Sequence, residues 1–315
     1  MISPHTLTSA LEKGLNYLAQ SQRPSGEFAT YTSPNLDMTG ARERPKSVYV
    51  TTFVVHSLSC LPLSPLIKHI QQQAGDFLAC EQEDNGAWHY EGRGGQQIPP
   101  DLDCTACAVA ALASLNRRPN LSFYRILWQN EVAPGGPYYT WLNVDHTTDS
   151  VYARDVDVLV NANILFCAGL LNLTLSGAAG YTQQLIHNQA YLGTYGVSPH
   201  LPIYALSRAY ADGHVDALAP VMPVIQNYIL TRLSPPQTEP SAFNLACLAV
   251  SLLNLKTSLS LVEPYLTALL AAQDAAGHWP AWAVYVSYNH YYDGSPALTT
   301  ALALEVLGKY QAQFT

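Results

Sequence analysis

The sequence predicts an all-α fold: a single (α/α)6 toroid, a double ring of six inner and six outer helices, formed by residues 1–315 as one domain. Three observations predict it. A Gln-to-aromatic motif recurs along the chain, strongly apolar segments alternate with amphipathic ones, and only 12% of residues are charged against 48% hydrophobic. About a quarter of an ordinary domain is charged. Much of this chain must therefore be hidden from water, as helices covered on every side are.

The motif is read most easily by alignment. GLNYLAQSQRPSGEF (14–28) matches AGDFLACEQEDNGAW (74–88), and PYLTALLAAQDAAGHW (264–279) repeats the same ending. Each unit reads as a helix whose closing Gln bonds exposed backbone groups. A Gly turn follows, then a ring that packs on the neighbouring unit.

Six apolar helices are expected at 47–61, 102–115, 157–171, 201–211, 241–255 and 295–310, their starts separated by 55, 55, 44, 40 and 54 residues. More polar helices precede them at 5–22, 65–82, 119–130, 180–192, 214–233 and 258–274. The first and last units carry the same motif, which favours a closed ring over an open solenoid with polar capping repeats. Residues 30–46, rich in Pro, Asp and Arg, are expected to fold over one end as a lid. GGPYYTWL (135–142) reads as a turn followed by a packed aromatic edge.

Composition narrows the partners. The net charge of −8 is spread thinly, with no basic stripe for a phosphate backbone, so nucleic acid is not expected. No run of 18 apolar residues would span a bilayer. The opening MISPHTLTSALEKGL lacks the basic-then-apolar order of a signal peptide. Cys60, Cys80, Cys104, Cys107, Cys167 and Cys247 fall mostly in apolar helical runs and read as buried thiols of a reducing compartment, so a cytoplasmic location is expected. Tyr is abundant (20) and Phe scarce (7), which fits a cavity lined by rings and hydroxyls.

If the six inner helices run the same way, their polar starts converge on one mouth. These starts carry Tyr49, Thr52 and His56; Asp101 and Asp103; Asp155, Asp157 and Asn161; His200 and Tyr204; Ser241 and Asn244; and His290, Tyr292 and Asp293. A single Asp or Ser at such a place is ordinarily an N-cap. The pairs DLD (101–103) and DVD (155–157) offer one carboxylate more than a cap needs.

Paired carboxylates in an apolar mouth have a chemical use. Desolvation and like charge raise one pKa, so one group keeps its proton at neutral pH. Such an acid beside an alkene pocket can start a cation cascade, and aromatic faces can stabilise the carbocation. Asp103 with Asp101 is the better pair, because the almost wholly apolar CTACAVAALASL follows directly. Arg154 is expected to neutralise the second pair. His56, on an apolar helix, reads more readily as a satisfied core histidine than as a base. His146 and His187 are expected to face solvent, and Tyr204, Tyr288, Tyr291 and Tyr292 to line the mouth or pack in a loop.

The repeats and DLDCTA (101–106) resemble the terpene cyclase and protein prenyltransferase superfamily. The repeats look like the Gln-to-Trp repeats of triterpene cyclases. DLDCTA looks like the Asp-x-Asp-Asp-Thr-Ala motif of class II terpene cyclases, and Asp-Cys-Thr-Ala (103–106) like its oxidosqualene cyclase form. The resemblance implies an α/α barrel with Asp103 as proton donor, Asp101 and Cys104 as its neighbours, no required cofactor or metal, and a small isoprenoid-like substrate. Asp157, Asn161, Asp155, His56, Tyr49, Tyr204, Asn244, His290 and Tyr292 are then the candidate substrate-binding walls.

Two departures stand out. Cys104 occupies the position of the second adjacent Asp, and those cyclases join two barrels where this chain has one. The lumen itself, a homodimer interface or a partner domain must supply the rest of the cavity. Three other readings stay open. One is zinc-dependent prenyl transfer through Asp103, Cys107 and His290, although Cys-x-x-Cys without a partner pair reads more readily as buried structural thiols. Another is sugar cleavage by an α/α-barrel hydrolase or lyase using Asp103 and Asp157. The last is a carrier of an apolar ligand without catalysis.

Overall fold

The computed structural model describes residues 2–233, 235–287 and 290–314. In chain order its helices are α1 (Pro4–Ser21), α2 (Tyr49–Ser59), α3 (Pro65–Cys80), α4 (Leu102–Ser114), α5 (Leu121–Gln129), α6 (Val158–Leu170), α7 (Ser176–His187), α8 (His200–Ala211), α9 (Met222–Arg232), α10 (Ala242–Asn254), α11 (Leu259–Ala271) and α12 (Pro296–Gln311). The even-numbered helices are the apolar set. All 13 residues of α10 are buried. The odd-numbered helices bury one stripe, as α1 does at Leu7, Ala10, Gly14, Leu15 and Leu18, a spacing that puts them on one helical face.

Contacts among the even helices close a cycle. Each of α2, α4, α6, α8 and α10 packs on the next, and α12 packs back on α2. The chain is mostly helical and has the inner and outer sets that the alternation predicts.

The recurring motif makes the joints. Gln22, Gln82 and Gln273 donate through Nε2 to the carbonyls of Gly26, Gly86 and Gly277 at 3.0, 3.1 and 2.9 Å. These three glycines have φ of 93°, 95° and 90°, the left-handed region that side chains avoid. Gln22 and Gln273 also reach carbonyls on neighbouring outer helices, Ile70 and Ala10 respectively. The backbone N–H of each following aromatic residue, Phe28, Trp88 and Trp279, donates to a Thr hydroxyl of an inner helix, Thr51, Thr105 and Thr300. One motif therefore ends an outer helix, ties it to its neighbour and fixes the inner helix that follows.

Trp88 and Trp279 are buried, and their indole N–H groups bond the carbonyls of Leu78 and Leu269. Trp279→Ala is expected to cost about 3–5 kcal/mol, the range for truncating a large core aromatic. A fall in the urea midpoint corresponding to less than 1 kcal/mol would mean the joint is dispensable.

Two boundaries moved. The outer helix expected at 180–192 is α7, Ser176–His187. It starts early because Gly177 packs on the loop before α6, where an added Cβ would lie 2.3 Å from the Gly136 oxygen. It stops early because Gln189 turns left-handed, φ 54°. The helix expected at 214–233 is split into a 3-10 turn, Asp216–Val221 around Pro220, followed by α9.

The all-α expectation omitted a small antiparallel sheet of β1 (Tyr31–Ser33), β2 (Arg42–Glu43), β3 (Tyr285–Val286) and β4 (Tyr292–Gly294), in the order β2-β1-β4-β3. Tyr31 pairs with Gly294 and Tyr285 with Asp293. Residues 30–46 are thus not a free lid: their strands are woven to the segment before α12. Strands of two or three residues are too short to show a period of two.

All six cysteines are free thiols; Cys104, Cys107, Cys167 and Cys247 are buried, whereas Cys80 is exposed. Among the described residues no helix is long and apolar enough to cross a membrane.

Candidate active site

The starts of α4, α6 and α8 and the segment before α12 meet around one cavity of about 760 Å³. Asp101, Asp103 and Cys104 line it from α4, Asp157, Leu159 and Val160 from α6, and Pro202 from α8. The aromatic share of the wall is Tyr90, Trp141, Tyr152, Tyr195 and Tyr285. A volume of this size, with mostly apolar walls and a few convergent polar groups, is typical of a small-molecule site.

The two carboxylates of DLD have different duties. Asp101 is the N-cap of α4: its Oδ1 accepts the Cys104 N–H at 2.6 Å, and its carbonyl accepts the Thr105 hydroxyl at 2.6 Å. Thr105 is the residue that receives the Trp88 N–H, so the repeat sets the position of the acid pair. Asp103 sits in the first turn and turns inward. Its Oδ1 accepts from Asn163 Nδ2 at 2.5 Å and its Oδ2 from the Tyr285 hydroxyl at 3.0 Å.

Burial penalises both anions. It raises Asp101 to about 7, helped by the neighbouring charge of Asp103, and raises Asp103 to about 6 against the opposing bonds from Asn163 and Tyr285. Both carboxyls thus titrate near neutrality rather than near 3.8.

Behind Asp103 lies a buried cation. Arg208 donates from Nη2 to Asn163 Oδ1 at 2.6 Å, with its guanidinium over the rings of Phe166 (4.3 Å), Phe53 (4.8 Å) and Tyr204 (5.2 Å). Asn163 therefore bridges Arg208 to Asp103. Neither Asn163 nor Tyr285 was among the sequence candidates. The signal for Asn163 was present: a polar residue inside VLVNANILF, fully buried in α6.

The other candidates separate into groups. Asp157, the N-cap of α6, lines the cavity, but Oδ1 is taken by the N–H groups of Leu159 (2.7 Å) and Val160 (3.3 Å), and Oδ2 by that of Thr194 (2.6 Å). Burial raises its pKa. Asp155 is half-buried beside it and accepts the Thr194 hydroxyl at 2.6 Å. His290 lines the cavity and is exposed. Tyr49 is buried behind the wall, its ring 5.0 Å from that of Tyr285.

Asn161 is not at the cavity. Its amide bonds both backbone groups of Tyr138, because residues two apart on a helix point to nearly opposite sides. Tyr292 is a strand residue of β4. Asn244 bonds Glu239 at 3.1 Å. His56 and Tyr204 lie together at Glu305, outside the cavity lining.

Several minor expectations change as well. The thiol facing Asp103 is Cys107, 4.0 Å from Oδ1 and one helical turn on, rather than Cys104. Arg154 is exposed and pairs with Asp149 at 3.5 Å instead of neutralising the DVD pair. His187 is exposed as expected, whereas His146 stacks on Tyr139 at 4.0 Å and bonds the Ala153 carbonyl. Tyr291 is exposed, and Tyr288 lies outside the described residues. Asp103, Cys107 and His290 form no metal-ligand group among the described residues.

No family model and no curated protein matches the sequence. Solved structures do match the fold. The type II terpene cyclase MstE from Scytonema aligns over 99% of both chains with a TM-score of 0.77 and 16% identity. The ent-copalyl diphosphate synthase from Streptomyces platensis aligns over 83% of this chain and 50% of its own, at a TM-score of 0.62 and 17% identity. An unsaturated glucuronyl hydrolase specific for heparin aligns over 99% of this chain and 98% of its own, at 0.60 and 14%. The chain thus has the fold of type II terpene cyclases, and it matches MstE along nearly the whole of both chains. A sugar hydrolase shares the architecture, so the site must choose the chemistry.

Proposed function

We propose that this chain is a type II, proton-initiated cyclase of an isoprenoid chain, with Asp103 as the acid. One observation carries the reading: a buried carboxyl with a pKa raised to about 6 opens onto an apolar cavity walled by aromatic rings. Variants of the structural neighbour MstE hold the substrate geranylgeranyl dihydroxybenzoate and the product merosterolic acid A, which supports a prenylated arene as the substrate class.

The chemistry follows from the geometry. The Asp103 carboxyl adds its proton to the terminal alkene, the electron pair of that alkene forms the new C–H bond, and a tertiary carbocation results. Successive alkenes close rings onto the cation, and loss of a proton ends the reaction, so substrate and product are isomers. Tyr90, Trp141, Tyr195 and Tyr285 line the cavity with aromatic rings that can stabilise the moving charge. Asn163 and Tyr285 donate hydrogen bonds that are worth most to the Asp103 carboxylate. They ease departure of the proton that burial holds in place.

Two alternative readings fit less well. A passive carrier has no use for an acid buried with its own pair of donors. Sugar cleavage by Asp103 and Asp157 would need Asp157 free, and both of its oxygens are occupied by backbone N–H groups.

The test is incubation with geranylgeranyl dihydroxybenzoate, other acyclic prenyl arenes, polyenes and prenyl diphosphates in ordinary and deuterated water. A cyclised isomer that gains one deuterium in the heavy solvent is expected. Recovery of every substrate unchanged would overturn the reading. The rate should fall as pH rises through about 6, as the acid loses its proton. Asn163→Ala removes a bond that favours the anion, so it should move that fall to higher pH and lower the maximal rate about tenfold. An unshifted pH profile would remove Asn163 from this role.

A further inference from the structure

At the far ends of the inner helices, four potential ligands from three elements converge. His56 and Cys60 stand four residues apart at the end of α2, Asp212 follows α8, and Glu305 comes from α12. His56 Nε2, Cys60 Sγ and one carboxylate oxygen from each acid all lie within 4.8 Å of one another. His56 Nε2 is 3.6 Å from Asp212 Oδ2 and 3.6 Å from Glu305 Oε1. A tetrahedral zinc with these donors has ligand–ligand edges of about 3.3–3.8 Å. The two His56 edges already match, and the widest spacing exceeds the range by about 1 Å at most.

Two atoms of the cluster make no hydrogen bond. His56 Nε2 and Glu305 Oε1 are buried without a hydrogen-bond partner, and His56 is only 8% exposed, Glu305 0%. Glu305 Oε1 has the Lys309 ammonium 3.4 Å away, whereas His56 Nε2 faces only carboxylate oxygens at 3.6 Å, and a buried ring nitrogen without a hydrogen bond is rare in a native interior. Their orientation is already fixed. Glu305 Oε2 accepts from Ser57 Oγ and the Tyr204 hydroxyl, each at 2.9 Å, leaving Oε1 turned to His56. Lys309 Nζ holds Asp212 Oδ2 at 2.6 Å and Asn254 Oδ1 at 2.6 Å, and stands 3.4 Å from Glu305 Oε1.

We propose that His56, Cys60, Asp212 and Glu305 form a structural site for a divalent ion of the zinc class, stapling α2, α8 and α12 together. Charge favours it: a thiolate and two carboxylates carry three negative charges, balanced by the ion and Lys309. A mixed nitrogen, sulfur and oxygen donor set suits zinc over magnesium or calcium. Cys60 and Asp212 are partly exposed, which gives the ion a way in. The site is separate from Asp103 and stands or falls without the cyclase reading.

Cobalt is the probe, because its tetrahedral thiolate complexes absorb visibly. Titration of Co²⁺ into chelator-treated full-length protein should give a sulfur-to-cobalt charge-transfer band that saturates at one equivalent and disappears when Zn²⁺ is added. The band should be lost in Cys60→Ser and retained in Cys247→Ser. Zn²⁺ should raise the Tm of the wild type and leave that of His56→Gln unmoved. No band in the wild type, or a band that survives Cys60→Ser, would overturn the proposal. The wild-type titration decides the first of these even if a variant fails to fold.

Discussion

Asp103→Asn is expected to lower cyclisation by at least about 10³-fold, within the range that a positioned general acid supplies, while the melting temperature at pH 8 stays the same or rises. The substitution is nearly isosteric. The amide oxygen can still accept from Asn163, and the amide nitrogen can donate to the Tyr285 oxygen, so both existing contacts survive in form. What is lost is the one acidic proton facing the cavity. Turnover with geranylgeranyl dihydroxybenzoate, measured beside a thermal melt, separates chemistry from folding. Activity within tenfold of the wild type would remove Asp103 from its assigned role.

The second large effect concerns stability. Asp101 titrates near 7 in the folded chain and near 3.8 in a solvated one, so between these values the native state binds more protons than the unfolded state. Stability contributed by this group therefore falls as pH rises from about 4 to 7 and is level above that. Three units correspond to about 4 kcal/mol as an upper bound, at 1.36 kcal/mol per unit.

Asp101→Asn keeps a capping oxygen for the Cys104 N–H and removes the charge. It should be more stable than the wild type by about 2–4 kcal/mol at pH 8 and equal to it near pH 4. Comparing the two proteins cancels His200, whose burial lowers its pKa to about 4 and gives an opposite slope over part of the same range. A difference that does not grow between pH 4 and 7 would show that Asp101 is not strained by its burial.

The architecture was legible in the sequence because its signals are local and repeated. Alternate strongly apolar segments mark helices covered on all sides, and the Gln, Gly and aromatic positions each perform a bond visible in the structure. The acid pair was legible for the same reason, since DLD opens one of those segments. Its partners were not. Asn163 and Tyr285 reach Asp103 from 60 and 182 residues away, and no spacing rule links such positions. Asn161 attracted attention instead, because its four-residue interval from Asp157 is a real helical neighbourhood, but that face meets a loop. The little sheet escaped because strands of two residues carry no pattern. The His56 group was half visible: His56 and Cys60 share a helix face, whereas Asp212 and Glu305 arrive from elsewhere.

The seam between α12 and α2 has a consequence for how the molecule assembles. Ser57 and Glu305 meet across 248 residues, and Gln273 reaches Ala10 across 263. Bringing segments so distant together costs chain entropy before any contact repays it. Neighbouring pairs such as α2 and α3 can form early, but the last joint waits for nearly the whole chain. Until it closes, the apolar sides of the first and last inner helices have no cover, so aggregation during refolding should be governed by that single late step.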